Sequence, residues 1–198
     1  MNKCIIVTGI PAAGKSTMAA YLAQSLQLPL ISKDAIKERL FDEIGFQSRA
    51  EKNQLGITAT HLMYDMADQL MRCGQPFILE NNFENAARDG LMELLSHHGY
   101  WGITVTMTGD LRVIYDRFVE RNQIPERHRG HVVNDCYPEK DPGHYVAPPS
   151  YENFAAGIQR RGMDTFTANG THIVVDTTDW SKVHFGMLRS WLHEELYG

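Results

Sequence analysis

The chain has 198 residues, 43% of them hydrophobic, and a formal net charge of −5, which fits a single domain spanning 1–198 with an inserted lid and argues against a broad electrostatic grip on nucleic acid. No apolar segment approaches the length of a membrane span, and the first apolar run is too short for a signal peptide. The three cysteines, Cys4, Cys73 and Cys136, are odd in number and widely spaced, so they do not indicate a disulfide framework and instead predict reduced thiols in a cytoplasmic protein.

The first predicted strand, residues 3–8, leads into a complete phosphate-loop pattern, G-x-x-x-x-G-K-[ST], and a helix is predicted over 15–27. The two glycines allow turns that a Cβ would block, so backbone N–H groups can converge on a phosphate at the start of that helix. We expect Lys15 to reach the β- and γ-phosphates and the Ser16 hydroxyl to bind Mg²⁺. The pattern predicts binding of a nucleoside triphosphate, taken as ATP although no base-reading motif is identifiable, by Gly9, Ile10, Pro11, Ala12, Ala13, Gly14, Lys15, Ser16 and Thr17.

A short second strand over 29–31 precedes Ser32-Lys33-Asp34, which opens a helix to about residue 43. Asp34 therefore falls at the carboxyl edge of the predicted sheet, where open α/β folds bind ligands. A carboxylate there can accept a proton from an acceptor hydroxyl. The alternative is that Asp34 serves only as the N-cap of the helix. A long helix follows over 49–72, supported by an apolar period of 3.6 residues.

The third strand, residues 77–79, ends at Glu80, on the same predicted edge of the sheet. A carboxylate at this place can hold Mg²⁺ or its water shell, and the longer Glu side chain can instead contact the acceptor. Asn82 is a further candidate for acceptor binding. The alternative is that Asn81 and Asn82 form an ordinary asparagine-rich turn.

A helix over 85–97, a strand over 103–107 and a helix capped by Asp110 come next. Arg117 and Arg121 lie four residues apart on that last helix, so they share one face. Such a like-charged pair destabilises a bare helix, and a bound polyphosphate would relieve the repulsion. The alternative is a solvated surface on which the arginines pair with nearby acidic residues.

The stretch 124–150 is irregular and contains five prolines and two glycines. An enzyme that must exclude water from a reactive phosphoryl group needs a mobile cover, so we expect a lid over about 122–150; a plain surface insertion is the alternative. Three lid histidines and a cysteine could in principle bind zinc, although their spacing in the sequence is irregular: His128, His131, Cys136 and His144. A lid made of polar residues explains them equally well. A fifth strand over 172–175 and a helix over 181–196 close the chain.

This alternation of strands and helices predicts an α/β fold of the P-loop NTPase class. We expect a doubly wound, mostly parallel five-stranded sheet with helices on both faces and a lid insertion.

Four segments together resemble one branch of the small P-loop kinases, the group of zeta toxins, polynucleotide kinases, chloramphenicol phosphotransferase and related AAA-type ATP-binding proteins. They are residues 9–17, 32–40, 78–83 and 117–121. The resemblance implies that Asp34 is the general base, that Arg117 and Arg121 are lid arginines with Arg127 as a further candidate, and that the base packs against the loop 176–179, which contains Thr178. Lys37 stands near the position at which phage-type polynucleotide kinases carry a phosphate-gripping Arg, and it lacks the bidentate fork.

We therefore expect a phosphotransferase, dependent on ATP and Mg²⁺, that moves a phosphoryl group to a hydroxyl of a small molecule. In this interpretation Lys15, Arg117 and Arg121 stabilise charge, Ser16 and Glu80 hold the metal, and Asp34, Lys37, Glu80 and Asn82 face the acceptor. A polynucleotide 5′-hydroxyl kinase and a non-catalytic, ATP-gated binding module are the alternatives.

Overall fold

A five-stranded, all-parallel sheet forms the centre of the protein in a computed structural model that describes residues 2–198. The strands are β1 (Lys3–Gly9), β2 (Leu30–Ser32), β3 (Ile78–Glu80), β4 (Trp101–Thr108) and β5 (His172–Asp176). The helices are α1 (Lys15–Leu26), α2 (Lys33–Ile44), α3 (Arg49–Arg72), α4 (Asn85–His98), α5 (Leu111–Arg121), α6 (Arg129–Val132), α7 (Tyr151–Arg161) and α8 (Phe185–Tyr197).

The strand order is β2-β3-β1-β4-β5, so β1 lies at the middle of the sheet. Successive side chains of a strand point to opposite faces, and β1 illustrates this. Ile5 and Val7 belong to one apolar cluster, which α1 and α8 cover, whereas Cys4 and Ile6 belong to a second, which α3 and α4 cover. Helices therefore lie on both faces, and the predicted doubly wound parallel sheet is confirmed.

Local sequence signals account for most of the helix starts. Ser48 caps α3 through its side chain, which accepts a hydrogen bond from the Glu51 backbone N–H. Asp110 caps α5 in the same way, accepting from the Arg112 and Val113 N–H groups. The predicted bounds 49–72 of the long helix agree with the structure.

The helices differ from the predicted ones in three places. The four-residue helix α6 lies inside the stretch predicted to be irregular. Helix α7 was not predicted either, since its start is hidden behind a proline-rich stretch and it contains Gly157. The helix predicted over 181–196 is broken: a 3₁₀ turn spans Trp180–Lys182 and α8 begins only at Phe185. Among residues 2–198, no helix combines the length and apolarity needed to cross a bilayer.

The stretch predicted as a lid, 122–150, packs against the α2–α3 corner. Phe46 and Tyr137 exchange two backbone hydrogen bonds of 2.8 Å across an isolated antiparallel bridge. Phe41, Phe46 and Val133 form a small apolar cluster beneath it. These contacts fix residues 129–137 beside the carboxyl edge of the sheet.

Candidate functional site

One cleft of about 670 Å³ opens at the carboxyl ends of β1, β2 and β3. One side of it is the loop wall, residues 9–17. The facing side is the helix wall, formed by residues 33–37 of α2 and by residues 121–134. Most of the residues predicted for the site meet here, because parallel strands bring their carboxyl ends to one edge.

The loop wall is shaped mainly by the backbone. Gly9 has φ +119°, and a Cβ there would overlap the main chain of Met107. Ala12 and Gly14 are also left-handed, with φ of 63° and 82°. Gly14 is the N-cap of α1, and the indole of Trp180 packs against it so closely that a Cβ would overlap the ring. Within residues 2–198, no side chain caps the start of α1, and residues 14–17 line the cleft, so the first N–H groups of the helix are available to an anion there.

Lys15 is buried beside this loop, and its ammonium donates a 2.8 Å hydrogen bond to the Ile10 carbonyl. Burial lowers the pKa of Lys15 to about 8, although the carboxylates of Glu80 and Asp34 act in the opposite direction. A lysine that is costly to keep charged without a counter-ion suits a site that receives an anion.

Glu80 lies at the end of β3, buried, between two serine hydroxyls. Ser32 Oγ donates to Glu80 Oε2 at 2.6 Å, and Ser16 Oγ donates to Oε1 at 3.4 Å. Burial raises the pKa of Glu80 despite the nearby Lys15. A hydroxyl and a carboxylate are oxygen donors of the kind that Mg²⁺ accepts, so Ser16 and Glu80 fit such an ion.

Asp34 stands in the first turn of α2 and is open to the cleft. It is not the N-cap: Ser32 holds that position, and the alternative interpretation of Asp34 as a cap is wrong. Enclosure by the cleft walls raises the pKa of Asp34, but the positive charges of His131, Lys37 and Lys15 outweigh this and hold it below its usual range. Asp34 is therefore ionised at neutral pH.

Two arginines reach the cleft: Arg121 is the last residue of α5, and Arg127 lies in the segment that follows it. Arg121 Nε and Arg127 Nε are both buried and have no hydrogen-bond partner among residues 2–198. Burial lowers the pKa of both guanidinium groups, and that of Arg121, at about 10, still keeps it charged at neutral pH. A buried N–H group without a hydrogen-bond partner is costly, so this pair of arginines also fits an anionic ligand such as a polyphosphate.

The structure does not bring Arg117 or Thr178 into the cleft. The Arg117 guanidinium instead donates to the carbonyls of Thr177 and Thr178, at 2.6 and 2.9 Å. Thr178 Oγ1 accepts from the Asp110 N–H at 2.7 Å and lines a separate groove between β5 and α8. Arg117 and Arg121 share a helix face, but their long side chains end at different places.

Lys37 and Asn82 do line the cleft. The Lys37 ammonium lies 5.4 Å from the centre of the Phe41 ring. Asn82 is fixed through its backbone carbonyl, which accepts a 2.9 Å hydrogen bond from Thr8 Oγ1. Its side-chain amide donates a 4.0 Å hydrogen bond to Met163 Sδ, another residue of the cleft lining.

Sequence reasoning missed four further basic residues of this region. Lys33, Arg49 and Arg161 line the cleft, and Lys52 supports the helix wall from behind. Lys33 had a detectable signal, since it precedes Asp34 and lies four residues from Lys37 on one helix face. Arg161 lies on the unpredicted α7.

Each of the three lid histidines contacts a different carboxylate. His128 lies 3.0 Å from Asp42, His131 2.8 Å from Glu38, and His144 3.1 Å from Glu139. In the described range 2–198, three potential ligands do not come together in a metal-binding cluster. Arg129, which flanks His128, is paired with Glu139.

Fold and cleft together define a P-loop kinase-like protein. A family described as AAA domain matches residues 4–135, and the chain belongs to that family. None of the curated proteins matches the chain.

Solved structures of similar shape agree with this fold. A candidate kinase from Chloroflexus aurantiacus J-10-fl is 26% identical with a TM-score of 0.75, covering 98% of this chain and 95% of its own. A sugar kinase from Janibacter sp. HTCC2649 is 15% identical (TM-score 0.58, coverage 100% and 96%). Shikimate kinase from Acinetobacter baumannii, solved with shikimate, is 14% identical (TM-score 0.55, coverage 99% and 96%). The last two likenesses establish the fold alone.

Proposed function

We propose that this protein is an ATP- and Mg²⁺-dependent phosphotransferase that moves the γ-phosphoryl group of ATP to a hydroxyl of a small molecule. The observation that carries the proposal is the meeting, in one cleft, of a phosphate loop, an ionised carboxylate and two arginines whose buried Nε atoms have no hydrogen-bond partner within residues 2–198. Phosphoryl transfer requires these parts, because its catalysis consists mainly of positioning and charge stabilisation.

In this proposal the loop N–H groups and Lys15 hold the β- and γ-phosphates, and Ser16 and Glu80 hold the metal. When bound, Mg²⁺ offsets negative charge on the phosphate oxygens. Arg121 and Arg127 stabilise the charge that spreads over the transferred group. Arg117, which we expected in this role, is instead proposed to brace the loop 176–179.

Asp34 is proposed to orient the acceptor hydroxyl and to receive its proton. Because the pKa of Asp34 is held low, the carboxylate is a weak base. Orientation is then its larger contribution, with the proton arriving as the new bond to phosphorus forms. The position of Asp34 directly after β2 also supports our further proposal that the chain is related to the zeta-toxin and polynucleotide-kinase branch.

We also propose that the chain is a single domain, in which residues 122–150 are the lid. The docking of this segment on the α2–α3 corner, and the Arg127 side chain that it supplies to the cleft, support this role. Closure over the cleft would exclude water from the phosphoryl group.

The test is the variant Asp34→Ala, assayed with labelled ATP against a panel of metabolites and antibiotics and scored for transfer rather than for ADP release. We expect ATP affinity, measured by calorimetry, to stay within about twofold, and transfer to fall by about 10²- to 10⁴-fold. The control is Glu43→Ala, an exposed carboxylate on the same helix whose partner is Arg39.

Equal turnover in Asp34→Ala and wild type would remove Asp34 from the mechanism. Transfer to a 5′-hydroxyl oligonucleotide with steep salt dependence would favour a polynucleotide kinase instead. Tight ATP binding without transfer to any alcohol would favour a non-catalytic, ATP-gated module.

A further inference from the structure

The cleft is strongly basic in a protein that is acidic as a whole. Seven lysines and arginines line it against three carboxylates, whereas the chain carries a net charge of −5. Lys15, Arg121 and Arg127 lie where a polyphosphate would use their charge. The remaining four come from α2, α3 and α7: they are Lys33, Lys37, Arg49 and Arg161.

Lys33 and Lys37 flank Asp34 one turn apart on α2, and both are only partly exposed. Neither makes a hydrogen bond or an ion pair to any group within residues 2–198. Burial lowers the pKa of each ammonium, more than the nearby Asp34 and Glu84 carboxylates raise it. The Lys37 ammonium also lies 5.4 Å from the centre of the Phe41 ring, but neither lysine has a paired counter-ion in the described part of the chain, and a bound anion would supply one.

A second cavity, of about 320 Å³, continues from the cleft past these two lysines. Lys33, Lys37, Glu84 and Arg161 line both spaces, so they form the wall between them. Arg161 is partly neutralised here, since its guanidinium lies 3.3 Å from Glu84. The second cavity adds polar groups from α3, namely Asn53, Thr60 and His61.

On the footing of the phosphotransferase function above, we propose that the acceptor is a small anionic alcohol. Its carboxylate or phosphate group binds between Lys33 and Lys37 while its hydroxyl lies at Asp34, and a polar remainder extends into the second cavity. The hydroxyl oxygen forms a bond to the γ-phosphorus, the bond from that phosphorus to the β,γ-bridging oxygen breaks, ADP leaves with the electron pair, and Asp34 takes the hydroxyl proton.

The charge distribution favours a small anion over a nucleic acid. The basic residues are concentrated in the cleft, so the rest of the chain is more acidic than the net charge of −5 indicates. A polynucleotide needs a basic track along which its backbone can continue. Two cavities separated by positively charged side chains instead suit a short ligand that fits entirely inside the site.

The first measurement is calorimetric titration of inorganic phosphate into protein saturated with Mg²⁺ and AMPPNP, which occupies the loop wall. We expect wild type to bind phosphate, and Lys33→Gln and Lys37→Gln each to weaken that binding by at least about tenfold, since each removes a charge-assisted contact. Arg39→Gln is the matched control, because Arg39 lies on the same helix, is 76% exposed and pairs with Glu43. Urea unfolding shows whether each variant remains folded.

The second measurement compares transfer from labelled ATP to matched alcohols, gluconate against glucose and glycerol 3-phosphate against glycerol. We expect at least about tenfold higher kcat/KM for the anionic member of a pair, and loss of that preference in Lys37→Gln. Transfer to neutral members at equal efficiency overturns the inference and leaves the phosphotransferase standing.

Phosphate that fails to bind the saturated wild type, or that binds both lysine variants as tightly, overturns the inference as well. Preference for a 5′-hydroxyl oligonucleotide over every small alcohol would overturn the inference that the acceptor is a small molecule. Absence of ATP binding, or of transfer to any alcohol, overturns the proposed function and the inference together.

Discussion

The two walls of the cleft are built from different parts of the polypeptide. The loop wall consists of main chain held in left-handed turns at Gly9, Ala12 and Gly14. The helix wall consists of long side chains from α2 and from residues 121–134, elements far apart in sequence. A phosphate is common to every nucleotide and can be held by invariant backbone groups, whereas an acceptor differs between enzymes and is read by side chains. We therefore expect the acceptor specificity to depend on the helix wall and not on the loop wall.

The largest expected effect is on folding, and it tests the dependence of the loop wall on the backbone. In Gly9→Ala the new Cβ meets the Met107 main chain at a φ of +119°. We expect the free energy of unfolding to fall by about 2 to 5 kcal/mol, from strain and overpacking together. Urea unfolding measures it.

Gly186→Ala is the control for that change, since a Cβ there meets no atom within 4 Å. It lies in α8, so we expect it to be neutral or to stabilise by about 0.4 to 1 kcal/mol. Equal stability of the two variants would mean that the loop wall tolerates backbone movement.

An intermediate effect tests whether side chains hold the helix wall together. The Lys52 ammonium donates to the carbonyls of His131 and Val133 and to Asn134 Oδ1. Lys52→Met keeps the apolar stem and leaves these oxygens without a donor, so we expect a loss of about 1 to 3 kcal/mol. Amide hydrogen exchange at residues 131–134 should accelerate, and the acceptor KM should rise while ATP affinity stays unchanged.

Lys140→Met, an exposed lysine of the same segment, should leave exchange and KM at wild-type values. If Lys52→Met behaves like this control, Lys52 does not hold the helix wall in place.

The smallest expected effect is on the pH dependence of ATP affinity, and it concerns Lys15, the side chain that the loop wall contributes to phosphate binding. Burial places the pKa of Lys15 at about 8 in the nucleotide-free protein, and a bound phosphate raises it by favouring the ammonium form. Below pH 8 the ammonium is already present and affinity is constant. Above pH 8 binding must take up a proton, so ATP affinity should fall by up to about tenfold per pH unit, until the pKa of the bound state is passed.

Calorimetry in buffers of different ionisation enthalpy measures that proton uptake. In Lys15→Met the uptake should disappear and ATP should bind weakly at every pH. Uptake of the same size in this variant would assign the proton to another group.

The contrast between the walls also explains what could be predicted from sequence. The loop wall is one continuous motif between a strand and a helix, and the carboxyl-edge positions of Asp34 and Glu80 follow from counting strands. The parallel sheet was predictable for the same reason, because each element has its own local signal.

The helix wall depends on contacts between distant residues. Helical spacing places Arg117 and Arg121 on one face, but the carbonyls that hold Arg117 belong to residues about sixty positions away. The role of Lys52 depends on a segment some eighty residues further along the chain. A local sequence pattern carries no information on contacts between distant residues, which explains why Arg49 and Arg161 were also missed; Lys33, by contrast, had a local signal beside Asp34.

The indole of Trp180, packed against Gly14, gives the loop wall a built-in optical sensor. Emission from an indole responds to the polarity and charge next to the ring, and here that neighbourhood is the place where a phosphate would arrive. With Trp101 and Trp191 replaced by phenylalanine, intrinsic fluorescence can follow nucleotide arrival in real time and without a dye.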